Sequence, residues 1–466
     1  MLTKESDKKL GKTMSDASLF LWQCHPEAEK LIQEFVNDAC YSNPFIEQLS
    51  QSLHQHTSTR LFDWIDHVVT GYSALVEKQL NETGFVIESA TPFYRVFAHP
   101  GAQLPRIILK DHEPEGIGIA VKVENIADFL MVHGISQWIE GNPLSGYRRC
   151  CVSTSSHTKL WVVERRGTLT MEPTYPSENE QINYLDAYER WQTRPRAMDD
   201  ENQALLKALT LAEGLVEMLG RDLAAWVVLE VERKYWQYKN TAGQQQKNRQ
   251  DRIGMGWANH DHHTFRSSRE RFHLLVRLFE ILGFHCRERF YAGKEAGWGA
   301  QVMENPQSGL VLFLDVDLTD EEIEFDFAHH PLPSLKKLGT VGLWCALHGD
   351  SILSSGMHHL EAQFLFEDLT KDLAGIGVSM MEPFSSFPYL KQAFTAGERW
   401  KVSPKKIHHL VEEGKISHQE ADRFLKDGAI GSHLENLQRR EGYKGFNQKN
   451  VSLIIKKTDP RSAKFE

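Results

Sequence analysis

The sequence predicts an α+β protein built of two barrels, each assembled from two strand–helix–strand–strand–strand (βαβββ) units, with a helical connector between them. Three observations carry this reading. One phrase recurs four times: a strand, an amphipathic helix stopped by a glycine, then two or three further strands. A leucine-rich helical stretch separates the second recurrence from the third. At 466 residues the chain is too long for one ordinary core, so two or three domains are expected.

The first unit opens with a strand over residues 62–69 and continues into a helix over 74–81. Its stop is Gly84-Phe85, and strands follow near 94–99 and 106–110. The second opens at 118–123, runs through a helix at 126–132 to His133-Gly134, and has strands near 148–153 and 159–164. The connector follows. Residues 200–220 place Leu205, Leu206, Leu209, Leu215, Val216 and Leu219 on a core-facing stripe, and 223–236 continue it. Residues 238–251 are polar without an apolar break and read as a solvated linker.

The third unit starts at 260–265. Its helix, 271–282, spaces Phe272, Leu275, Val276, Phe279 and Leu282 for one buried face, and Gly283 supplies the left-handed stop. Strands are expected near 286–291, 299–304 and 310–315. The fourth unit starts at 357–366, with a helix at 367–374 ended by Gly375 or Gly377. A helical piece at 403–426 begins on Ser403-Pro404, proline being suited to a first helical turn. It is expected to cover a barrel mouth.

Composition is that of a globular protein: 41% hydrophobic and 25% charged. A formal net charge of −10 argues against a general nucleic-acid surface. No stretch approaches the roughly 18 consecutive apolar residues that a membrane span needs. Residues 1–14 are polar and lysine-rich, read as mobile and as neither signal nor fold element. The six cysteines form no CxxC pair or zinc-finger spacing, and Cys150-Cys151 reads as buried reduced thiols. A reducing, cytoplasmic compartment is expected.

Histidine is the unusual residue, at 22 copies. Residues 259–269 pack three histidines, an aspartate and two arginines together. As a strand, residues two apart share a face, so His260, His262, Thr264 and Arg266 point one way. An imidazole and a guanidinium about 13 Å apart along such a strand suit a metal at one end of an acidic ligand and an anion clamp at the other. The bland alternative is that the imidazoles cap loops or pair with acids on a wet surface. In the fourth unit, alternation puts His358, Leu360, Ala362 and Phe364 against helices and His359, Glu361 and Gln363 toward the interior. His359 is therefore the better ligand candidate, against the reading of a core histidine bonded to a carbonyl. A last strand near 431–440 would present Glu435; on a helix, the same glutamate would instead pair with Arg439. Two histidines and one carboxylate leave open positions on a metal, which suits non-haem Fe(II), though the same donors also hold Zn²⁺ or Mn²⁺.

At these three places the chain resembles the 2-oxoadipate dioxygenase/decarboxylase (hydroxyglutarate synthase) family of the vicinal-oxygen-chelate superfamily, over about residues 255–460. His262-x-x-x-Arg266 resembles the family's first metal histidine and its carboxylate-binding arginine. His359-Leu360 resembles its second histidine strand, and Glu435 within Leu-Glu-Asn-Leu-Gln-Arg its carboxylate segment. The resemblance implies vicinal-oxygen-chelate-like barrels, a metal held by His262, His359 and Glu435, and Arg266 as the catalytic and substrate-binding cation. Gln363 and Gln438 are expected to bind substrate as well, with Arg269 and Lys444 as further positioning candidates, and Asp261, Glu361 and Gln363 as candidates to orient the imidazoles. The implied activity is a mononuclear Fe(II) dioxygenase that decarboxylates and hydroxylates a 2-oxo acid. Its partners would be that acid and dioxygen, without nucleic acid or membrane.

The expected division is 1–59, a helical or mobile segment; 60–175, a degenerate sister domain; 176–254, connector and linker; and 255–466, the metal-binding domain. His67 opens the first unit as His262 opens the third, but residues 119–123 offer no second histidine, so the first half is read as scaffold. Two other functions fit the same residues. One is a redox-neutral isomerase, lyase or hydrolase using Zn²⁺ or Mn²⁺. The other is a non-catalytic ligand-binding protein.

Overall fold

The computed structural model describes residues 22–111, 116–447 and 458–462. The reading of residues 1–14 lies outside them. Two helices lead in, α1 (Pro26–Ser42) and α2 (Pro44–Thr57). The first sheet's strands and helices follow as β1 (Ile65–Gly71), α3 (Ala74–Glu82), β2 (Val86–Ala90), β3 (Tyr94–Ala98), β4 (Arg106–Lys110), β5 (Ile117–Lys122), α4 (Ile126–Val132), β6 (Tyr147–Ser155) and β7 (Thr158–Arg165). The connector is α5 (Glu178–Thr193), α6 (Glu201–Leu219), α7 (Arg221–Tyr238) and α8 (Thr241–Asp251).

The third unit is β8 (His260–Arg266), α9 (Phe272–Ile281), β9 (His285–Tyr291), β10 (Trp298–Asn305) and β11 (Leu310–Asp317). After α10 (Thr340–His348), the fourth is β12 (His359–Ala362), α11 (Phe366–Ala374), β13 (Ser385–Phe387), β14 (Leu390–Phe394), β15 (Glu398–Trp400), α12 (Pro404–Glu412), α13 (His418–Asp427) and β16 (Ala429–Arg439).

The four-unit reading matches the observed topology. The first sheet runs β2-β3-β4-β1-β5-β7-β6, and the second β13-β14-β16-β12-β8-β11-β10-β9, with β15 beside β16. In every unit the opening strand pairs parallel with the unit's last strand: β1 with β4, β5 with β7, β8 with β11, β12 with β16. The opening strands of partner units pair antiparallel at the seam, β1 with β5 and β8 with β12. The two halves of the chain therefore share one plan. Each sheet is an open path among the described residues rather than a ring closed by strand pairing.

Alternation decides what each seam strand buries. Phe265, Leu360 and Ala362 enter the largest core together with Phe272, Leu275, Val276 and Phe279 of α9 and the apolar stripes of α6 and α7. Gly283, at φ 84, ends that helix run as the left-handed stop expected of it.

Three expectations are corrected. Residues 241–251 are a helix, not a solvated linker. Asn240 caps it by accepting from Gly243 N at 2.7 Å, and Gln246 and Gln250 are fully buried, donating to Thr57 O and Gly256 O. Polar residues satisfied by specific hydrogen bonds look like a linker to hydropathy alone. The helical piece at 403–426 is two helices split near Gly414, whose φ is 65. They pack with α10, Ile407, Leu410 and Phe424 against Leu343 and Leu347, rather than closing a mouth. The fourth opening strand is only four residues long, which matters for Gln363 below. No helix of the described residues is long and apolar enough to cross a membrane.

Candidate metal centre

Strands β8, β11, β12, β14 and β16 all contribute to one buried cavity of about 60 Å³, walled by Phe290, Trp298, Phe313, Phe394 and Phe446. His262, Arg266, Asp315, His359, Glu361 and Glu435 line it. Pairing register brings them there from far apart in sequence. Glu361 lies opposite His262 across the β8–β12 seam and opposite Glu435 in the β12–β16 ladder, and Arg266 lies opposite Asp315 in the β8–β11 ladder.

The donor atoms converge. His262 Nε2 is 2.8 Å and His359 Nε2 2.7 Å from the same oxygen, Glu361 Oε1. His359 Nε2 is also 3.3 Å from Glu435 Oε2. Ligand atoms of His359, Glu361 and Glu435 all lie within 4.8 Å of one another. Two ligand atoms each about 2.1 Å from one ion and at right angles to it stand about 3 Å apart. The spacing of His359, Glu361 and Glu435 thus fits a shared divalent cation, and His262 adjoins that group through its contact with Glu361.

The surroundings hold the donors in place. His262 Nδ1 donates to Asp261 at 2.8 Å, which turns Nε2 toward the cavity. Asp261 in turn accepts from Arg439 Nε and Nη2, at 3.1 and 3.2 Å, and from Gln103 Nε2 of the first half at 2.7 Å. Gln392 Nε2 donates to Glu435 Oε1 at 2.9 Å, and Thr264 Oγ1 to Glu361 Oε1 at 2.8 Å.

The electrostatics also fit a cation. Burial, together with the neighbouring Glu361 carboxylate, pushes Glu435 well above the usual carboxylate range. Burial opposes a charge on His262, but Glu361 and Asp261 outweigh it and lift the imidazole to about 9. Burial pushes Asp315 up to about 6 despite Arg266 beside it. Two buried carboxylates held this close repel each other, and a bound dication would relieve that repulsion. Buried polar atoms without a hydrogen-bond partner cluster here: Glu361 Oε2, Arg266 Nη1, Asp315 Oδ1 and His358 Nε2. Native interiors rarely leave such groups unpaired, and a bound ion or anionic ligand would satisfy them.

The sequence-predicted residues fall into two groups. His262, His359, Glu435 and Arg266 come together. Arg266 holds Asp315 through Nε at 3.2 Å and keeps Nη1 unpaired at the cavity. Glu435 lies on a strand, so its alternative pairing with Arg439 on a helix does not form; Arg439 serves Asp261 instead.

Gln363 and Gln438 are not in the cavity. Strand β12 ends at Ala362 after an irregularity in its pairing, and Gln363 lies instead in a second cleft, between the two sheets. Gln438 is three residues from Glu435 and so faces the opposite side of β16, where its Oε1 accepts from Phe366 N at 2.9 Å. His260 also leaves the site: the same irregularity turns it to His263 and to the Trp257 carbonyl. Arg269 binds Glu322 and the Pro333 and Asp317 carbonyls, and Lys444 lies over Trp22.

Two residues were missed. Gln392 sits on a short strand flanked by turns, which gave no clear alternation, and Asp315 shows its role only through its register with Arg266. Glu361, expected only to orient a ligand, stands among the donors themselves.

No family profile matches the chain, and no curated protein matches it in sequence. Solved structures do. A variant of 4-hydroxymandelate synthase from Streptomyces coelicolor is similar over 85% of this chain and 98% of its own, at 10% identity and TM-score 0.28. Methylmalonyl-CoA epimerase from Mycobacterium tuberculosis is similar over 39% of this chain and 88% of its own, at 11% identity and TM-score 0.23. A glyoxalase/bleomycin resistance protein/dioxygenase superfamily member from Vibrio splendidus is similar over 21% of this chain and 97% of its own, at 13% identity and TM-score 0.17.

Proposed function

We propose that the protein is a mononuclear metal enzyme of the vicinal-oxygen-chelate type, with residues 255–466 as its metal-binding unit, and that it is a non-haem Fe(II) dioxygenase acting on a 2-oxo acid. The observation that carries the proposal is a buried cavity in which His262 and His359 both reach one oxygen of Glu361, Glu435 stands beside His359, and Arg266 lines the same wall. A bound Fe(II) would supply the redox chemistry that joins dioxygen to decarboxylation of the acid.

The chain's own residues have separate tasks. His262 and His359 offer imidazole nitrogen and Glu435 offers carboxylate. Asp261 holds the His262 tautomer, backed by Arg439 and Gln103. Arg266 offers Nη1 to the substrate carboxylate as a charge-assisted bond. The phenylalanine walls keep water out. The cavity, about 60 Å³, suits an ion with the small head of a 2-oxo acid, and a longer acid needs the aromatic wall to shift.

Glu361 favours a second reading. If it ligates, four protein donors leave two positions of an octahedral ion open. A chelating 2-oxo acid then fills both, and dioxygen has none. That arrangement suits a redox-neutral Zn²⁺ or Mn²⁺ enzyme acting as a Lewis acid.

Metal analysis of protein purified without chelator, with oxygen uptake on added Fe(II) and a 2-oxo acid, tests both. The expected result is one metal per chain, lost in His262→Ala, His359→Ala and Glu435→Ala, with acid-dependent oxygen uptake. Full metal content in all three variants would overturn the site. Metal without oxygen uptake across a series of 2-oxo acids would leave the redox-neutral reading.

A further inference from the structure

The first sheet repeats the plan of the second, so its strands supply a position for each residue of the metal centre. His67 corresponds to His262, and its support is retained. His67 Nδ1 donates to Asp66 at 2.7 Å, and Asp66 accepts from Arg165 Nε and Nη2, both at 2.7 Å. This is the His262–Asp261–Arg439 arrangement over again, with the arginine in both cases at the end of the unit's last strand.

The other positions have changed character. Across the seam, His67 faces Ala120 where His262 faces Glu361, and Val69 faces Gly118 where Thr264 faces His359. Ala120 pairs with Trp161 where Glu361 pairs with Glu435. At the clamp position, Gly71 pairs with Lys110 where Arg266 pairs with Asp315. The metal donors have thus become alanine, glycine and tryptophan, and an acidic position has become basic. Small residues leave space: the cavity here is about 800 Å³, against about 60 Å³ in the second sheet.

We infer that the first sheet holds a second, metal-free ligand site, which binds a small organic carboxylate with an apolar body and a hydroxyl group. The wall supplies each part of that description. Trp161, with Val69, Ile108 and Met171, gives an apolar surface. Arg149, Lys110 and Lys159 place basic groups around it, against Glu172, which accepts from Tyr94 Oη at 2.8 Å. The Arg149 guanidinium lies 5.1 Å from the Trp161 ring, so a carboxylate on that cation brings its apolar body onto the indole.

Two polar groups remain deep in the wall. His67 is 95% buried, and with Nδ1 donating to Asp66 its Nε2 carries a lone pair that accepts from a ligand hydroxyl. Tyr147 is fully buried, lines the cavity, and its hydroxyl has no hydrogen-bond partner. A buried hydroxyl of that kind calls for one.

The experiment uses full-length protein and fluorescence titration with 6-hydroxy-2-naphthoate, compared with 2-naphthoate, which lacks the hydroxyl, and 2-naphthol, which lacks the carboxylate. One saturable site is expected, with both truncated probes about tenfold weaker or more. Arg149→Ala and His67→Phe should each weaken the parent probe about tenfold, Arg149→Lys should restore most of the binding, and Glu435→Ala should leave it unchanged. Arg149→Ala also breaks an ion pair with Glu140 at 2.9 Å. Val69→Phe, which fills the cavity and leaves that pair alone, is therefore the second variant and should also lose binding. No saturable binding up to millimolar probe would overturn the inference. So would binding lost in Glu435→Ala and kept in Arg149→Ala and Val69→Phe, since the probe would then occupy the metal centre.

Discussion

Glu361 is the residue on which the chemistry turns. One of its oxygens sits between two imidazole nitrogens, at 2.8 and 2.7 Å, and its other oxygen is unpaired. If it is a ligand, Glu361→Gln should lower metal content at least tenfold when assayed after dialysis. If the metal is held by His262, His359 and Glu435 alone, Glu361→Gln should keep full occupancy. Arg266 poses a different question. Its Nε holds Asp315 while its Nη1 has no hydrogen-bond partner, and under the proposed function that Nη1 takes the substrate carboxylate, a division of labour a lysine cannot copy with its single point charge. Arg266→Lys should raise KM for the acid about tenfold or more and leave metal content unchanged, as read from steady-state kinetics beside metal analysis.

At the scale of elements, the strands position the donors and the connector helices hold the strands. Helix α7 carries a buried hub in which Glu232 accepts from Arg194, Arg196 and the Trp191 indole, at 2.7, 2.8 and 2.9 Å. Arg194 and Arg196 extend the hub by donating to the Ile352 carbonyl in the segment between α10 and β12. Removing the carboxylate strands two guanidinium groups, and breaking a buried pair from one side costs about 3–5 kcal/mol. Glu232→Ala should lose about that much stability in denaturant unfolding. Alternation made the direction of β12 legible from Leu360 and Ala362 against His359 and Glu361. It did not reveal that the strand stops at Ala362, because that end is set by pairing with β8 and β16.

For the whole molecule, buried histidines make stability depend on pH. His348 donates to the Ile430 carbonyl at 3.1 Å, and burial holds it down to about 3. The unfolded chain protonates this histidine near 6.5, whereas the folded protein does not until about 3. Its neutral state therefore contributes stability above pH 6.5 that is lost as pH falls from there toward 3. The cost is up to about 1.4 kcal/mol per pH unit for each such group. Melting curves between pH 7 and 4.5 should show stability falling with acid, with a shallower slope in His348→Gln. At the same scale the two halves are linked: Gln103 of the first donates to Asp261 of the second, and Glu124 accepts from Trp257 N at 3.1 Å. The first half thus helps hold the His262 tautomer while its own cavity follows a different chemistry.

Read alone, the chain gave the four recurring units and the helical connector, and it singled out His262, His359, Glu435 and Arg266, which the fold brings to the wall of one cavity. These rest on local rules: alternation along a strand, helical spacing of Phe272 through Leu282, and glycine at Gly283, where a left-handed turn was needed. It also determined that His67 marks a sister of His262. Only the tertiary structure decided the rest, because register between distant strands is set by cooperative pairing and not by any one segment. That register brought in Asp315 and Gln392, moved Gln363 and Gln438 out, and put Glu361 among the donors. It also put Gly118 on the wall of an open cavity, which no pattern within its strand could have shown.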